Sequence, residues 1–157
     1  MASVKDSLKA KGRVAVVLKD KNGQVKETRN IDNLVVTDGL QYIVSRMKNT
    51  TPAAMSHMQI GTGTTNPDPT DTDIETKFGS KESASSSIAA NGLSITYSAT
   101  FGAHSGQTTP EITEAAITNN GTDATGDMLC RVEFPVVSKG PSDSITISWQ
   151  ISLSATS

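Results

Sequence analysis

The chain has 157 residues, a formal net charge of −2 and 19% charged residues. Its length favours one domain with a core large enough to fold unaided. No apolar run approaches the roughly 18 residues that a transmembrane helix needs, and no apolar core follows the N-terminal lysines, so we expect neither a membrane span nor a secretory leader. Cys130 is the single cysteine, which excludes an intrachain disulfide and a thiolate metal cluster within one chain.

Positive charge is concentrated at the N-terminus. Residues 1–29 carry eight basic and three acidic residues, whereas the remainder carries six basic and thirteen acidic residues. Residues 1–12 show no strong periodicity, and we interpret them as a flexible arm. A basic arm on an acidic body favours an acidic partner surface, including a second copy of the chain, although a solvated terminus would have the same composition. The candidate partner-binding residues are Lys5, Lys9, Lys11 and Arg13.

A hairpin and one helix are predicted next. Residues 13–19 are apolar and β-branched, Asp20–Gly23 is a turn signal, and residues 24–30 form a polar returning strand, so we expect the hairpin at a sheet edge. A short α-helix is predicted over about 38–48, with Thr37 or Asp38 accepting hydrogen bonds from its first amides. Its apolar residues recur at helical spacing and predict a stripe packed on the core: Leu40, Ile43, Val44 and Met47.

The stretch from Met58 to Glu75 resembles two kinds of ligand site. Residues 61–65, Gly-Thr-Gly-Thr-Thr, suggest a phosphate loop, but Pro67 and Pro69 block the helix that such a loop requires and no lysine arrives until Lys77. Four acidic residues follow that could hold Ca²⁺: Asp68, Asp71, Asp73 and Glu75. Their spacing does not match a helix-loop-helix calcium site, which leaves a looser loop site or a solvated acidic loop. We therefore interpret the stretch as a short strand, Met58–Ile60, followed by a rigid acidic loop.

The second half of the chain predicts strands. Residues 93–101, 128–134 and 145–153 alternate apolar and polar side chains, and residues 111–117 do so if a bulge lies near Glu114 and Ala115. The Ser-rich segment 81–87 is compatible with a strand of an outer hairpin or with a loose loop. The predicted class is mainly β: an antiparallel β-sandwich over residues 13–157, for which a jelly roll is one arrangement, with one short helix and an extended N-terminal arm.

The chemistry-bearing residues are sparse. His57, His104 and Cys130 are far apart in sequence, and no Gly-x-Ser-x-Gly nucleophile motif is present, so a hydrolase on a β-scaffold is disfavoured and we predict no enzyme activity, cofactor or metal. The basic N-terminal region contains no aromatic residue, so we predict no nucleic-acid binding.

Several stretches between residues 33 and 153 resemble small virion proteins of tailed bacteriophages. Each stretch is weakly specific, but their order and spacing together are moderately so. They are Asn33–Gly39 with the helix after it, Ile60–Thr65 with Pro67, Asp71, Thr72 and Glu75, Ser98–Phe101, Ile112–Ala115, Met128–Phe134, Lys139, Asp143 and Ser144–Ile151.

The resemblance implies a structural role in the virion. It implies a capsid decoration (cement) protein on the outer shell, bound to the major capsid protein and to copies of itself as a homodimer or homotrimer, without nucleic acid or membrane. The alternative it leaves open is a tail or fibre subunit in host attachment, for which Tyr42, Phe78 and Tyr97 are the candidate glycan contacts. The group often has Gly-Leu-Phe where this chain has Ala116-Ile117-Thr118, so head and tail both remain open.

Overall fold

We describe the protein from a computed structural model that covers residues 7–48, 52–122 and 126–156. This part of the chain forms nine strands and one helix. In chain order they are β1 (Ser7–Lys19), β2 (Val25–Val35), α1 (Thr37–Met47), β3 (His57–Gly61), β4 (Lys77–Ser83), β5 (Ser85–Ile88), β6 (Ser94–Phe101), β7 (Glu111–Thr118), β8 (Met128–Ser138) and β9 (Ser144–Thr156).

The strands form two antiparallel sheets that pack face to face, which confirms the predicted β-sandwich. The hydrogen-bonded order is β4-β3-β7-β8-β2-β1-β9-β6-β5, and β2 belongs to both sheets. Its residues up to Asn33 pair with β1, whereas Val35 pairs with Cys130 of β8. Where β2 and β8 separate, the Arg29 side chain donates to the carbonyl oxygens of Pro135 and Val136, at 3.3 and 2.7 Å, so it joins the two strands.

The core lies between the sheets and consists of the strand residues that alternate inward. On β9 the inward residues are all buried: Ile145, Ile147, Trp149 and Ile151. The first three lie opposite the buried residues Leu18, Val16 and Val14 of β1, in that order. β7 is buried on both of its faces from Ile112 to Thr118, and the predicted irregularity is present as a register shift between Ile112 and Glu114. The alternation that predicted these strands therefore also identifies most of the core.

The N-terminal boundaries differ from the prediction. Residues 7–12, assigned to the flexible arm, belong to β1, which pairs with β9 from Ser7↔Thr156 to Lys19↔Ser144. Residues 1–6, and with them Lys5, lie outside the described residues. The predicted turn is confirmed by hydrogen bonds between Asp20 and both Gly23 and Gln24. Up to Asn33, β2 pairs with β1 and is the outermost strand of that sheet, as predicted, and only Leu34 and Val35 pair with β8 of the other sheet.

The helix is confirmed, but its packing is not the predicted one. Its N-cap is Val36, without a side-chain hydrogen bond, and Asp38 instead accepts from the Met128 amide at 2.7 Å. Gly39 is buried so closely against β8 that a Cβ there would overlap the Leu129 carbonyl. Of the predicted core stripe only Ile43 packs on the core; the others are exposed, to 48% at Leu40, 65% at Val44 and 82% at Met47.

Candidate functional site

One buried carboxylate accepts hydrogen bonds from several backbone amides of the loop after β3. Glu114 of β7 is fully buried, and its Oε1 accepts hydrogen bonds from the amides of Gly63 at 2.9 Å and Thr76 at 2.8 Å. Its Oε2 accepts from the amide of Glu75 at 3.0 Å. Within residues 61–65, the amides of Thr62, Gly63 and Thr65 are bonded to other groups of the protein, so they support the loop.

A buried arginine completes this network. The Arg131 guanidinium donates to Glu114 Oε2 through Nε at 3.0 Å, to Asp71 at 2.7 Å and to the Thr65 carbonyl at 3.0 Å. Burial alone would lower the pKa of Arg131, but the hydrogen bonds to Asp71 and Glu114 outweigh it and the pKa is raised. The guanidinium therefore remains charged and offsets the carboxylates around it.

The carboxylates of the acidic loop are bonded to groups of the protein itself. Asp71 binds Arg131, Asp73 lies 2.9 Å from Lys77, and Asp68 accepts from the amide and hydroxyl of Thr70, which lowers the pKa of Asp68. Glu75 accepts from the Thr65 amide at 2.9 Å, and that bond lowers the pKa of Glu75. Within the described ranges no group of three or more His, Cys, Asp or Glu side chains is arranged to hold a metal ion.

The histidines and the cysteine have separate partners. His57 Nδ1 lies 2.8 Å from Ser56 Oγ, and Cys130 is buried, which raises the pKa of its thiol. His104 donates through Nε2 to the Thr108 carbonyl at 3.1 Å, because a carbonyl can only accept. Its Nδ1 is then the acceptor for Lys139 Nζ at 3.1 Å, so the two histidines contact different groups.

A second buried polar cluster lies at the turn between β8 and β9. Lys139 is 1% exposed and donates to the Asp143 carbonyl at 2.8 Å, and burial lowers its pKa. The Asp143 carboxylate accepts from Lys26 Nζ at 2.7 Å and from the Gly140 amide at 2.8 Å. The hydrogen bond from Lys26 lowers the pKa of Asp143, with help from Gly140 against the effect of burial. These contacts join β2 to the turn before β9.

Three of the four predicted partner-binding residues lie on one strand face. Lys9, Lys11 and Arg13 are successive outward positions of β1, and all three are exposed. We call them the basic stripe. Alternate strand residues lie about 7 Å apart, so the cations are presented at regular spacing. The structure thus places on one strand with Arg13 two residues, Lys9 and Lys11, that the sequence had assigned to a flexible arm.

The neighbours of the basic stripe on β9 carry no charge. Lys9 is opposite Ser154, Lys11 is opposite Ser152, and Arg13 is opposite Gln150. On the β2 side, the acidic residue Asp32 is exposed and lies directly opposite Arg13. A row of cations beside the uncharged strand β9 produces a positive field on an otherwise acidic protein.

The uncharged surface continues across the sheet. β5, β6 and β9 contain no Asp, Glu, Lys or Arg, and their outward positions are Ser, Thr and Gln. Thr100 and Thr146 hydroxyls bond across the strands at 3.0 Å. Sequence reasoning did not identify this face, although the signal was available: residues 84–110 and 144–157 lack those four residue types.

The structure limits the aromatic candidates for a glycan site. Tyr97 is 7% exposed, and its burial raises its pKa to about 12. Tyr42 and Phe78 are half-buried and pack against the core, and the Phe78 ring meets the His104 ring edge-on at a centroid distance of 5.2 Å. None of the three is presented as a free aromatic platform.

Comparisons with protein-family models, with curated proteins and with solved structures found no match for this chain. In the part of the chain that the structure describes, no helix has the length and apolar character needed to cross a membrane.

Proposed function

We propose that this protein is a structural component of a bacteriophage virion, a capsid decoration protein that binds the outer shell and stabilises it. The observation that carries the proposal is the basic stripe, which presents Lys9, Lys11 and Arg13 from one exposed face. Its position on a surface of uncharged Ser, Thr and Gln suits it to contact an acidic protein surface.

The strand that carries the stripe is rigidly anchored. β1 pairs with β9 over all of its 13 residues and with β2 from Gly12 onward. Cations fixed on a sheet lose less conformational freedom on binding than cations on a mobile arm. On a shell, the same weak contact would be repeated at every symmetry-related site, which is how small interfaces give firm attachment.

The other charged groups support a structural role. Arg131, Glu114 and Asp71 hold the loop after β3, and Lys26 and Asp143 hold the turn before β9. These contacts bind a loop and a turn to the strands and so stabilise the fold. A tail protein that binds glycans through Tyr42, Phe78 or Tyr97 is less well supported, because Tyr97 is buried and the other two pack on the core.

The test is co-sedimentation of the purified full-length protein with undecorated capsids. We expect saturable binding at a fixed ratio to the major capsid protein, and capsids that resist heat better once decorated. Absence of binding at saturating protein, with the protein folded, would contradict the decoration role and direct attention to the tail. Trimming residues 1–12 is not a suitable probe, because it would remove the Ser7–Gly12 part of the β1–β9 ladder.

A further inference from the structure

The two strands at the ends of the sheet order are protected very differently. β4 carries Lys77, Lys81 and Glu82, which are the kinds of residue that prevent an edge strand from pairing with another chain. β5, at the other end, has the sequence Ser-Ser-Ser-Ile and is exposed at every residue. It contains no charge and no proline, so nothing in its sequence opposes a further strand.

The hydrogen-bond pattern identifies which backbone groups of β5 are free. The Ala89 amide donates to the Ser94 carbonyl at 2.9 Å, and β5 pairs in the same register with β6, Ser87 opposite Thr96. Because bonded pairs alternate in an antiparallel ladder, Ser85 and Ser87 bond to β6, and the amides and carbonyls of Ser86 and Ile88 point away from it. Those groups are available to a strand that pairs in antiparallel fashion.

An apolar groove continues from this edge. Ile88 is 72% exposed and Leu93 is 57% exposed, and both line a groove with Tyr42 and Ile43 of α1 and Leu153 of β9. The groove has no charged residue in its lining. A four-residue edge alone buries far less than the roughly 800 Å² per partner of a stable interface, and the groove adds the apolar area that the edge lacks.

We propose that β5 pairs antiparallel with β5 of a second copy, about a two-fold axis at Ser87, and that the neighbouring groove is buried in the same dimer interface. In a two-fold interface each surface meets itself, so a charged edge would repel its copy, whereas an uncharged one does not. The bonding pattern allows this register, since it places the free groups of Ser86 opposite those of Ile88 in the second copy. The second copy is favoured over an acidic or basic partner because the surface offers such a partner no charge.

The β5–β5 dimer is the self-association that accompanies the proposed decoration role, and the dimer can be tested without capsids. At the axis, Ser87 would lie directly opposite Ser87 of the second copy, at the closer, non-hydrogen-bonded spacing. Ser87→Lys or Ser87→Glu would therefore place two like charges together, whereas a mixture of the two variants would place opposite charges together. Ser83→Lys, the same change at an exposed residue of the protected edge strand β4, is the matched control.

The measurement is the molar mass by light scattering during size exclusion, with circular dichroism to verify folding. We expect dimers for the wild type and Ser83→Lys, monomers for Ser87→Lys and Ser87→Glu alone, and dimers again when those two are mixed. A monomeric wild type, a trimer, or dimers that survive both Ser87 substitutions would overturn the proposal. Any of these results would leave the binding of the protein to capsids, measured separately, unaffected.

Discussion

The loop of residues 61–76 and the basic stripe of β1 use charge in opposite ways. In the loop region the charges face inward: Glu114 is fully buried, Arg131 is nearly so, and the two lie 2.9 Å apart. On β1 the cations face solvent beside the uncharged strand β9. The difference shows that a stretch with the composition of a ligand site can stabilise the fold, whereas the exposed cations of β1 are the ones that we propose for contact with a partner.

The largest effect on stability is expected from removing the buried cation, Arg131. Arg131→Leu leaves Glu114 buried without its ion-pair partner, and loss of one partner of a buried pair typically costs about 3–5 kcal/mol. We expect a decrease of that size in the free energy of unfolding, measured by urea denaturation.

The matched control for Arg131→Leu is Lys77→Met. The pair of Lys77 with Asp73 is partly exposed, with side chains 30% and 48% accessible, so its loss is expected to cost about 1 kcal/mol or less. If Arg131→Leu lost no more stability than Lys77→Met, the loop would not depend on the buried network.

A smaller effect is expected where the loop approaches the carboxylate. A Cβ at Gly63 would lie 2.5 Å from the Glu75 Cβ and would also overlap Glu114 Oε1. Gly63→Ala is therefore expected to destabilise the protein by about 1–3 kcal/mol, as overpacking of a buried site does. Gly102→Ala is the control, because a Cβ there has no neighbour within 4 Å. Equal urea midpoints for the two variants would contradict the close approach.

The ion pair of Lys26 with Asp143 predicts a pH-dependent effect. The bond from Lys26 lowers the folded-state pKa of Asp143, so its contribution is present above the unfolded pKa of about 3.9 and is lost as the pH falls through the lower, folded value. We expect Lys26→Met to be less stable than the wild type at neutral pH, with the difference shrinking on acidification below about pH 4. Urea denaturation across that range measures it.

The control for Lys26→Met is Lys21→Met, which removes an exposed lysine from the turn between β1 and β2. Its difference from the wild type is expected to be small throughout. A Lys26→Met deficit that stayed constant down to strongly acid pH would show that the lysine acts through its aliphatic chain and not through the ion pair.

The sequence predicted the parts of the fold that depend on local patterns. Strict alternation over residues 93–101 and 145–153 identified β6 and β9, and the Asn-Gly turn identified the hairpin. The beginning of β1 was missed because residues 7–12 have little alternation of their own, and they become a strand through pairing with β9. Such pairing joins residues more than 130 positions apart, and no local pattern encodes it.

The packing of the helix and the buried ion pair were also not predictable from local sequence patterns. The apolar stripe of α1 indicated a core contact, but the helix approaches β8 through the small Gly39 and leaves Val44 and Met47 exposed. Glu114 and Arg131 lie on adjacent strands, β7 and β8, and the loop of residues 61–76 bonds to both of them. Asp71 of that loop pairs with Arg131, and no local pattern in the sequence indicated this pairing.

The smallest expected effect on stability belongs to the basic stripe. Lys9→Glu, Lys11→Glu and Arg13→Glu combined alter only exposed side chains, so each is expected to change the free energy of unfolding by less than about 0.5 kcal/mol. The control, Lys19→Glu, Lys21→Glu and Lys48→Glu combined, changes the net charge by the same amount at cations outside the stripe.

Binding of these two triple variants to undecorated capsids, compared with the wild type by co-sedimentation, tests the central claim most directly. We predict that the stripe variant loses saturable binding while the control variant retains it, with both proteins folded. Retention of binding by the stripe variant, or an equal loss in both variants, would contradict the assignment of the shell contact to Lys9, Lys11 and Arg13.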